Sequence, residues 1–272
     1  MHKPQIQILL STYNGSSFLK EQLDSILGQT ARNWQLLIRD DGSTDGTREI
    51  IQEYQTRFPD KMKLVSGGSG GDSSSSFMSM LPFAEAPYLM FCDQDDVWTA
   101  EKVETAFHEI VALEKQSPIA LYFTDMKVVD KEMKKLEPSF FKQQKLKPEW
   151  SENPYFAFAQ SMGAGCTMIF TQALVQQLHQ IKTPLFQHDH WLLMHASFYG
   201  KVGFSAEKTV LYRQHESNAV GSHEINVAYF LAKITSVQKV FSRWVYIKKQ
   251  FGSHISIVQL MRAKWKLNRE RF

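Results

Sequence analysis

The chain has 272 residues, of which 43% are apolar and 22% are charged, with 31 Lys and Arg against 28 Asp and Glu. This composition is typical of a globular protein and excludes a disordered or collagen-like chain. No stretch approaches the ~18 uninterrupted apolar residues of a membrane span, and the first residues do not resemble a cleaved leader, so we expect no signal peptide. Two cysteines, Cys92 and Cys166, suit a reducing cytoplasm and predict buried thiols rather than a disulfide framework.

The charge is unevenly distributed along the chain. Residues 231–272 contain ten basic residues and a single acid, Glu270, which gives this segment a charge of +9. The first 230 residues therefore carry −6, because the whole chain carries only +3. An acidic body joined to a basic tail predicts two functional regions.

Short apolar runs and helical patterns alternate through the first 125 residues. The predicted strands are 6–10, 35–38, 63–65, 88–91 and 120–123, and the predicted helices lie near 18–27, 44–58, 77–84 and 100–116. Continuous apolar strands that alternate with helices predict a parallel sheet covered on both faces. In such a sheet, ligands bind at the carboxyl ends of the strands.

Polar and acidic turns follow three of these strands. Residues 11–15 (STYNG) follow the first strand, residues 40–43 (DDGS) the second and residues 93–96 (DQDD) the fourth. We therefore expect the three turns to converge on one edge of the sheet. Residues 66–76, which contain four Gly and six Ser, predict a mobile loop over that edge, with a linker between domains as the alternative.

The second half of the chain has a more mixed pattern. It predicts a strand at 166–170, helices at 171–181 and 190–199, and two short strands at 202–204 and 210–212. No internal repeat is visible in the sequence.

Two carboxylates, Asp93 and Asp95, occupy positions i and i+2 just beyond an apolar strand, where alternate side chains share a face. Carboxylates aimed at one point repel each other unless a cation lies between them. Such hard oxygen ligands suit Mg²⁺ or Mn²⁺, with diphosphate oxygens supplying further ligands. The alternative is a solvated turn, because this triplet is common by chance.

Four segments in order resemble those of a known enzyme family. They are STYNG (11–15), DDGSTDGT (40–47), CDQDDVW (92–98) and YRQHESN (212–218). Together they resemble the family 2 inverting glycosyltransferases with the GT-A fold, and the last two resemble especially its bacterial rhamnosyltransferase-like branch.

The resemblance covers roughly residues 4–221. It implies a GT-A fold, which is a Rossmann-like, mostly parallel sheet flanked by helices. The chain would then divide into a GT-A glycosyltransferase domain at 1–222 and a basic amphipathic helical extension at 223–272. Within the domain, residues 1–125 would bind the nucleotide sugar and residues 126–222 the acceptor.

The resemblance implies that the first two turns bind the nucleotide. Ser11, Tyr13 and Asp41 would hold the base and ribose, and a carboxylate such as Asp41 can accept from the imide N–H of uracil or thymine. For Asp41, the alternative is a purely turn-forming residue. Asp40 would support the turn.

The resemblance also implies a metal site. Asp95 would be a direct ligand of the metal, and Asp93 would be its partner near the ribose, with Asp96 as a less certain contributor. His215 resembles the family's late metal or diphosphate ligand. Arg213 would pair with a phosphate of the nucleotide sugar, for which a planar guanidinium is well shaped, and a structural ion pair is an equal alternative.

Asp189 matches the position of the family's catalytic base. Inversion requires a base that removes the proton of the acceptor hydroxyl while its oxygen attacks the anomeric carbon. The alternative is that Asp189 caps the helix that follows it. Residues 188–190 (HDH) do not predict a second metal site, because successive side chains point in different directions.

Three further features have weaker assignments. Residues 162–165 (MGAG) would let a sugar approach the backbone, although a tight turn explains them equally well. Asp125 is a candidate contact of the acceptor. Trp98 is predicted to pack in the core rather than to stack on a substrate.

The basic tail contains an apolar stripe with helical spacing. Its members are Phe230, Ile234, Val237, Phe241 and Trp244, and a second segment, 255–267, adds Trp265. A basic amphipathic helix with tryptophan suits the surface of an anionic membrane. Packing on the catalytic domain or on another subunit is the alternative, and the aromatic stripe argues against nucleic acid as the partner.

These features predict an inverting glycosyltransferase in the cytoplasm, peripheral on the inner face of the cell membrane. It would use Mn²⁺ or Mg²⁺ and a nucleotide-sugar donor, which the resemblance alone implies to be dTDP-L-rhamnose, with a UDP-hexose as the alternative. Its acceptor would be a glycan or an undecaprenyl-diphosphate-linked glycan of bacterial cell-wall, capsule or O-antigen polysaccharide, and it could form oligomers. A sugar nucleotidyltransferase is a more distant alternative, because residues 11–15 lack the basic residue that a triphosphate requires.

Overall fold

The computed structural model of the chain describes residues 3–66, 72–178, 185–215 and 237–271. Its strands are β1 (Ile6–Thr12), β2 (Trp34–Asp40), β3 (Met62–Leu64), β4 (Tyr88–Asp93), β5 (Val97–Trp98), β6 (Ala120–Val129), β7 (Lys135–Glu137), β8 (Met168–Thr171) and β9 (Lys201–Arg213). Its helices are α1 (Leu19–Leu27), α2 (Thr47–Arg57), α3 (Ser73–Met80), α4 (Lys102–Glu114), α5 (Phe140–Gln143), α6 (Pro154–Ala159), α7 (Gln172–Gln177), α8 (His188–Tyr199), α9 (Val237–Phe251) and α10 (Ile257–Arg271).

The strands form one sheet in the order β3-β2-β1-β4-β8-β6-β9-β5, and β7 pairs with β6. β1 is parallel to β2 and β4, and β2 is parallel to β3. β8 runs antiparallel to both of its neighbours, whereas β6 and β9 are parallel. The predicted α/β sheet flanked by helices is confirmed. In the middle of the sheet, β8 runs in the opposite direction to the strands on either side of it.

Two apolar cores cover the two faces of the sheet. Along β1, Leu9 belongs to the core under α3, α6, α8, α9 and α10, while Ile8 and Leu10 belong to the core under α1, α2 and α4. All three side chains are excluded from water. Because alternate residues of a strand point to opposite faces, a continuous apolar strand requires helices on both sides.

The carboxyl ends of β1, β2 and β4 lie side by side. The register of the sheet places Ser11 between Arg39 on β2 and Asp93 on β4. The turns that follow these strands therefore converge on one edge, as the sequence predicts.

The strands of the second half differ in their bounds from the apolar segments. The two short strands predicted at 202–204 and 210–212 are parts of a single strand, β9, which pairs with β6 along its length. The register between them shifts on either side of Asp125, which marks a bulge. The strand predicted at 166–170 begins only at Met168, because residues 165–167 form a 3₁₀ turn.

Part of the Gly- and Ser-rich segment forms a helix. α3 begins at Ser73, and the carboxylate of Asp72 accepts the backbone N–H of Ser75 at 2.8 Å, as an N-cap does. The prediction of a mobile loop over 66–76 is therefore wrong for residues 72–76, where an acidic cap begins an ordered helix. Residues 67–71 lie outside the described residues.

The basic tail forms two helices that pack against the rest of the chain. Ile247 and Phe251 on α9 and Leu260 and Leu267 on α10 are buried in the core beneath α8. Within the predicted stripe, Trp244 is partly buried while Phe241 is exposed, and Phe230, Ile234 and the side chain of Val237 lie outside the described residues. In the described parts of the chain, no helix is both long enough and apolar enough to cross a membrane.

Candidate active site

Gln94, the middle residue of the Asp93-Gln94-Asp95 triplet, joins the first turn to the fourth strand. Its Oε1 accepts the Thr12 hydroxyl at 2.5 Å and the backbone N–H of Tyr13 at 2.8 Å. Its Nε2 donates to the carbonyl oxygen of Tyr13 at 3.1 Å. Sequence reasoning missed this residue, and the signal available was its position between the two acids, in the turn that follows β4.

The first two turns are also joined to each other. Asn14, which has a positive φ of 47°, accepts the backbone N–H of Thr44 at 2.9 Å and donates its own N–H to the Ser43 hydroxyl at 2.9 Å. The backbone N–H of Gly15 donates to the Thr47 hydroxyl at 2.8 Å. These bonds fix the position of the first turn, which carries the predicted nucleotide contacts Ser11 and Tyr13. Tyr13 is 58% exposed, so its ring is open to a ligand.

The paired acids of the second turn have different environments. Asp40 accepts hydrogen bonds from the backbone and hydroxyl of Ser43 and from Arg48. Burial raises the pKa of Asp40, but the hydrogen bonds from Ser43 and Arg48 outweigh it and leave the pKa below its usual value. The predicted turn-supporting role of Asp40 is confirmed. Asp41 is held by the Arg39 guanidinium at 2.7 Å and by the Ser76 hydroxyl. A nucleobase that binds Asp41 would therefore meet a carboxylate that is already fixed in position.

Asp95 and His215 meet at the same edge although 120 residues separate them in sequence. His215 Nε2 lies 2.8 Å from Asp95 Oδ2, and both side chains are mostly buried. The ring of Phe18 packs on the imidazole with ring centroids 4.6 Å apart. A carboxylate and an imidazole in contact are two ligands that a divalent cation would accept.

Asp93 lies among other negative charges. Burial, followed by the charges of Asp95 and Asp189, raises the pKa of Asp93 to about 7, although a hydrogen bond from the Cys166 thiol opposes the rise. Asp189 lies in the same region, because its Cβ is 3.5 Å from the position of a Cβ on Gly165, and the next residue, Cys166, has its thiol within 4.8 Å of a ligand atom of Asp93. A divalent cation bound beside Asp93 would relieve this repulsion, so the residues present fit the predicted metal.

A second possible metal cluster lies deeper in the same region. Ligand atoms of Asp93, Asp96 and Cys166 lie within 4.8 Å of one another. Cys166 is buried and burial raises its pKa well above the usual value, so the thiol stays protonated. Asp96 is fully buried and accepts the backbone N–H of Arg213 at 3.2 Å. Mg²⁺ and Mn²⁺ prefer oxygen and imidazole ligands to a thiol, so Asp95 and His215, which are in contact, offer the more suitable donors, whereas the ligand atoms of Asp93 group with those of Asp96 and Cys166.

The buried side chain of Arg213, at the end of β9, joins this strand to three other segments of the chain. Its guanidinium donates to the carbonyl oxygen of Asp95 at 3.0 Å and to that of Lys131 at 2.7 Å, and it forms an ion pair with Glu21. Of the two roles predicted for Arg213, this geometry fits the structural ion pair.

Asp189 lies in the first turn of α8 rather than at its cap. The N-cap is Gln187, and the Asp189 carboxylate accepts the backbone N–H of His190 at 2.6 Å. The alternative in which Asp189 caps the helix is therefore wrong, because α8 begins one residue before it. A carboxylate in the first turn is stabilised by the helix dipole and remains available to a substrate.

His188 anchors this first turn in the core. Its ring packs on Phe77 and Phe91, with centroids 4.6 and 5.0 Å apart. Burial lowers the pKa of His188, so the imidazole is neutral. A Cβ on Gly165 would lie 2.6 Å from His188 Nε2. The absence of a side chain at Gly165 therefore allows the turn before β8 to approach α8 closely.

Two predicted acceptor contacts have structural explanations instead. Asp125 is buried and accepts the Ser139 hydroxyl at 2.5 Å and the backbone N–H of Phe141 at 3.0 Å. The prediction that Asp125 contacts the acceptor is wrong, because its carboxylate holds the segment before α5. A Cβ on Gly163 would lie 2.7 Å from the Phe123 ring, so packing accounts for this glycine. Trp98 is buried, which confirms its predicted core position.

The comparisons with known proteins identify the family of the chain. Residues 7–168 match the model of glycosyl transferase family 2, so the chain belongs to this family and is a glycosyltransferase. Over 96% of its length it is 24% identical to the dTDP-rhamnosyl transferase RfbG of Shigella flexneri, of which it covers 95%.

Solved structures share the fold at low sequence identity. TarS from S. aureus in complex with UDP-GlcNAc superposes with a TM-score of 0.67 at 18% identity, over 98% of this chain and 72% of that one. The mannosyltransferase PcManGT from Pyrobaculum calidifontis, in complex with GDP-Man and Mn²⁺, superposes with a TM-score of 0.59 at 15% identity, over 99% and 74%. These likenesses confirm the GT-A fold.

Proposed function

We propose that the chain is a metal-dependent, inverting glycosyltransferase that transfers L-rhamnose from dTDP-L-rhamnose to a glycan acceptor. The observation that carries the proposal is the contact between Asp95 and His215 just beyond the end of β4, where Asp93 lies. Asp189 is close to Gly165, whose neighbour Cys166 approaches Asp93. Residues 1–125 would bind the nucleotide sugar and residues 126–222 the acceptor. The likeness to RfbG along nearly the whole chain supports dTDP-rhamnose, while UDP in TarS supports the alternative of a UDP-hexose.

The reaction needs one base at the sheet edge. Asp189 takes the proton from the acceptor hydroxyl as the hydroxyl oxygen forms a bond to the anomeric carbon. The bond between that carbon and the diphosphate oxygen breaks on the opposite face of the sugar, and the nucleoside diphosphate leaves. Because this is a single displacement, the configuration at the anomeric carbon inverts.

The triplet and His215 would hold the metal. Asp95 and His215 would be its ligands, with Asp93 beside them near the ribose. A bound Mn²⁺ or Mg²⁺ supplies neutralisation of the charge that develops on the departing diphosphate. PcManGT was solved in complex with Mn²⁺, which supports a divalent metal as the cofactor. Ser11, Tyr13 and Asp41 would hold the base and ribose.

The acceptor is proposed to be a lipid-linked glycan of a bacterial cell-surface polysaccharide, such as an undecaprenyl-diphosphate-linked glycan. The enzyme would then work in the cytoplasm on the inner face of the cell membrane. The excess of basic residues in the tail supports this location, because anionic lipids attract Lys and Arg at about 1 kcal/mol per residue near the surface.

A panel of nucleotide sugars tests the proposal. The purified chain is mixed with dTDP-L-rhamnose, UDP-glucose, UDP-GlcNAc or GDP-mannose, in Mn²⁺, Mg²⁺ or EDTA, and thermal unfolding and slow donor hydrolysis are measured. We expect dTDP-L-rhamnose with metal to raise the unfolding temperature most, since a ligand at 100 times its Kd stabilises by about 2.7 kcal/mol. Asp95→Asn should lose the metal-dependent shift, while the exposed control Asp60→Asn should keep it. No response to any donor would contradict the proposal, and a preference for a UDP-sugar would replace the donor.

A further inference from the structure

Helix α10 carries apolar side chains on two opposite sides. Its inner side places Leu260, Ala263 and Leu267 in the core, each 5% exposed or less. Its outer side presents Val258, Met261 and Trp265, which are 52%, 55% and 63% exposed. At about 100° per residue, the two sets lie roughly 160° apart. The outer side of a helix on a soluble domain is normally polar, so the second set, here named the docking stripe, requires its own explanation.

Basic residues border the docking stripe. Arg262 and Arg269 follow its members by one and four residues, and the Arg269 guanidinium lies 5.5 Å from the centre of the Trp265 ring. The described part of the tail, 237–271, contains nine Lys and Arg and a single acid, Glu270. Tryptophan and arginine on an apolar strip are the side chains that bind at the headgroup level of an anionic bilayer.

Large exposed apolar side chains are concentrated in the tail. Nine occur in the described residues, and five of these lie on α9 and α10. They include Phe241 and Val245 on α9, with Arg243 between them and Lys248 and Lys249 after them. This concentration, together with the positive charge, favours an anionic lipid surface over a neutral or basic partner.

The two tail helices are fixed to the catalytic body. The Lys264 ammonium donates to the carbonyl oxygen of Ala159 at the end of α6 at 3.1 Å, and the backbone N–H of Ser256 donates to the Tyr155 hydroxyl at 3.3 Å. α6 in turn contacts His190, the residue after Asp189, through the Ala157 carbonyl at 2.6 Å. A surface that binds α10 would therefore orient the catalytic edge as well.

We propose that the docking stripe, with Arg262 and Arg269 beside it, is a rigid docking surface for an anionic lipid bilayer. This proposal rests on the proposed function, since a lipid-linked acceptor gives membrane docking its purpose. It differs from a flexible basic tether, because the inner side of the same helix is part of the core.

Vesicle binding tests the proposal. The full chain is sedimented with vesicles of phosphatidylcholine that contain or lack phosphatidylglycerol. We expect binding only to the anionic vesicles, and the double substitution Met261→Asp and Trp265→Asp should weaken it at least about tenfold. Leu136→Asp, which changes an equally exposed apolar residue on β7, should bind as the unmodified chain does. Arg262→Gln with Arg269→Gln should reduce binding most at low salt.

Three results would overturn the proposal. The first is that the unmodified chain does not bind anionic vesicles, and the second is that the double variant binds them as well as the unmodified chain does. The third is that sedimentation velocity shows a dimer of the unmodified chain and a monomer of the double variant, which would make the stripe a subunit interface. Donor hydrolysis separates this proposal from the proposed function, because the double variant should hydrolyse donor in solution at the unmodified rate. Loss of hydrolysis in every chain would instead contradict the enzyme assignment.

Discussion

Two regions hold the candidate functional residues by different interactions. The first, named the donor edge, is the edge of the sheet where β1, β2 and β4 end. The second, named the helical side, is α8 with the helices packed around it. At the donor edge, Gln94, Asn14 and Asp40 hold turns together through hydrogen bonds between side chains and backbone. Around α8, His188 is fixed by rings of Phe77 and Phe91 instead. The donor edge is therefore organised by local polar contacts, whereas the position of Asp189 depends on packing between distant segments.

The tail is part of that packing. The ring of Phe251, at the end of α9, lies 5.8 Å from Trp191 on α8 and 4.9 Å from Phe158 on α6. Helix α8 is thus covered by a ring that follows Trp191 by 60 positions in the sequence. Substitutions on the two sides should consequently separate loss of chemistry from loss of folding.

The largest expected effect falls on chemistry at Asp189. Asp189→Asn keeps the shape of the side chain but removes its basicity, and we expect the rate of transfer to fall about 10³-fold, within the range for a general base. Donor affinity and thermal unfolding should stay as they are in the unmodified chain. Glu152→Gln, an exposed acid in the same half, serves as the control. Full transfer activity in Asp189→Asn would exclude it as the base.

Packing of the tail on α8 predicts the next largest effect. Phe251→Ala removes a buried ring, and we expect the free energy of unfolding to fall by about 3–5 kcal/mol. Val245→Ala on the exposed side of the same helix should change it by less than about 0.5 kcal/mol. Urea unfolding measures both. Equal stabilities for the two variants would show that the tail is not part of the folded core.

Asp95 and His215, the proposed metal ligands, offer a test of the donor edge. His215→Asn removes an imidazole in contact with Asp95, and we expect the Mn²⁺ concentration needed for half-maximal donor binding to rise about 100-fold. The free energy of unfolding without metal should change little in comparison. His108→Asn, an exposed histidine on α4, is the matched control. An unchanged metal titration would remove His215 from the ligand set.

Close packing at Gly165 links the two regions. In Gly165→Ala, the new Cβ would lie 2.6 Å from His188 Nε2, and we expect a loss of about 1–3 kcal/mol in stability from overpacking. Transfer should slow because His188 and Asp189 share the first turn of α8. Gly46→Ala meets its nearest atom at 3.7 Å and should leave both quantities near their original values. Unfolding curves and transfer rates are measured on both variants. A stability and a rate of Gly165→Ala equal to those of Gly46→Ala would contradict the close packing of Gly165 on His188.

The smallest effect is expected at the ion pair of Arg213. Glu21→Gln weakens its contact with the buried guanidinium, but the Glu21 side chain is mostly exposed, so a cost of only about 0–1 kcal/mol is expected. Glu53→Gln, whose partners are all exposed, should cost less still. A much larger loss in donor binding than in stability for Glu21→Gln would favour the phosphate role for Arg213.

Much of the donor edge could be predicted from sequence, because its parts are local. Apolar strands followed by polar turns predict β1, β2 and β4 and place Asp41, Asp93 and Asp95 at their ends. The role of Gln94 was missed because its bonds reach Tyr13, 81 residues earlier. The continuous strand β9 was divided in two because the polar residues 205–209 interrupt its apolar pattern, while pairing with β6 keeps the backbone extended.

The helical side was less predictable, because its contacts join distant residues. Helical spacing predicted an apolar stripe in the tail, but spacing does not identify what covers a stripe. In the folded chain, Phe251 packs on α8 while Phe241 is exposed. Asp125 likewise follows a strand as Asp93 does, yet it is buried under Ser139 and Phe141, because β6 continues past it to pair with β9.

The most direct test of the account is the anomeric configuration of the transfer product, determined by NMR with the donor that the panel selects. Asp189 as a base and a single displacement predict a glycosidic bond of configuration opposite to that of the donor. A product that retains the donor configuration would contradict the mechanism and the role of Asp189.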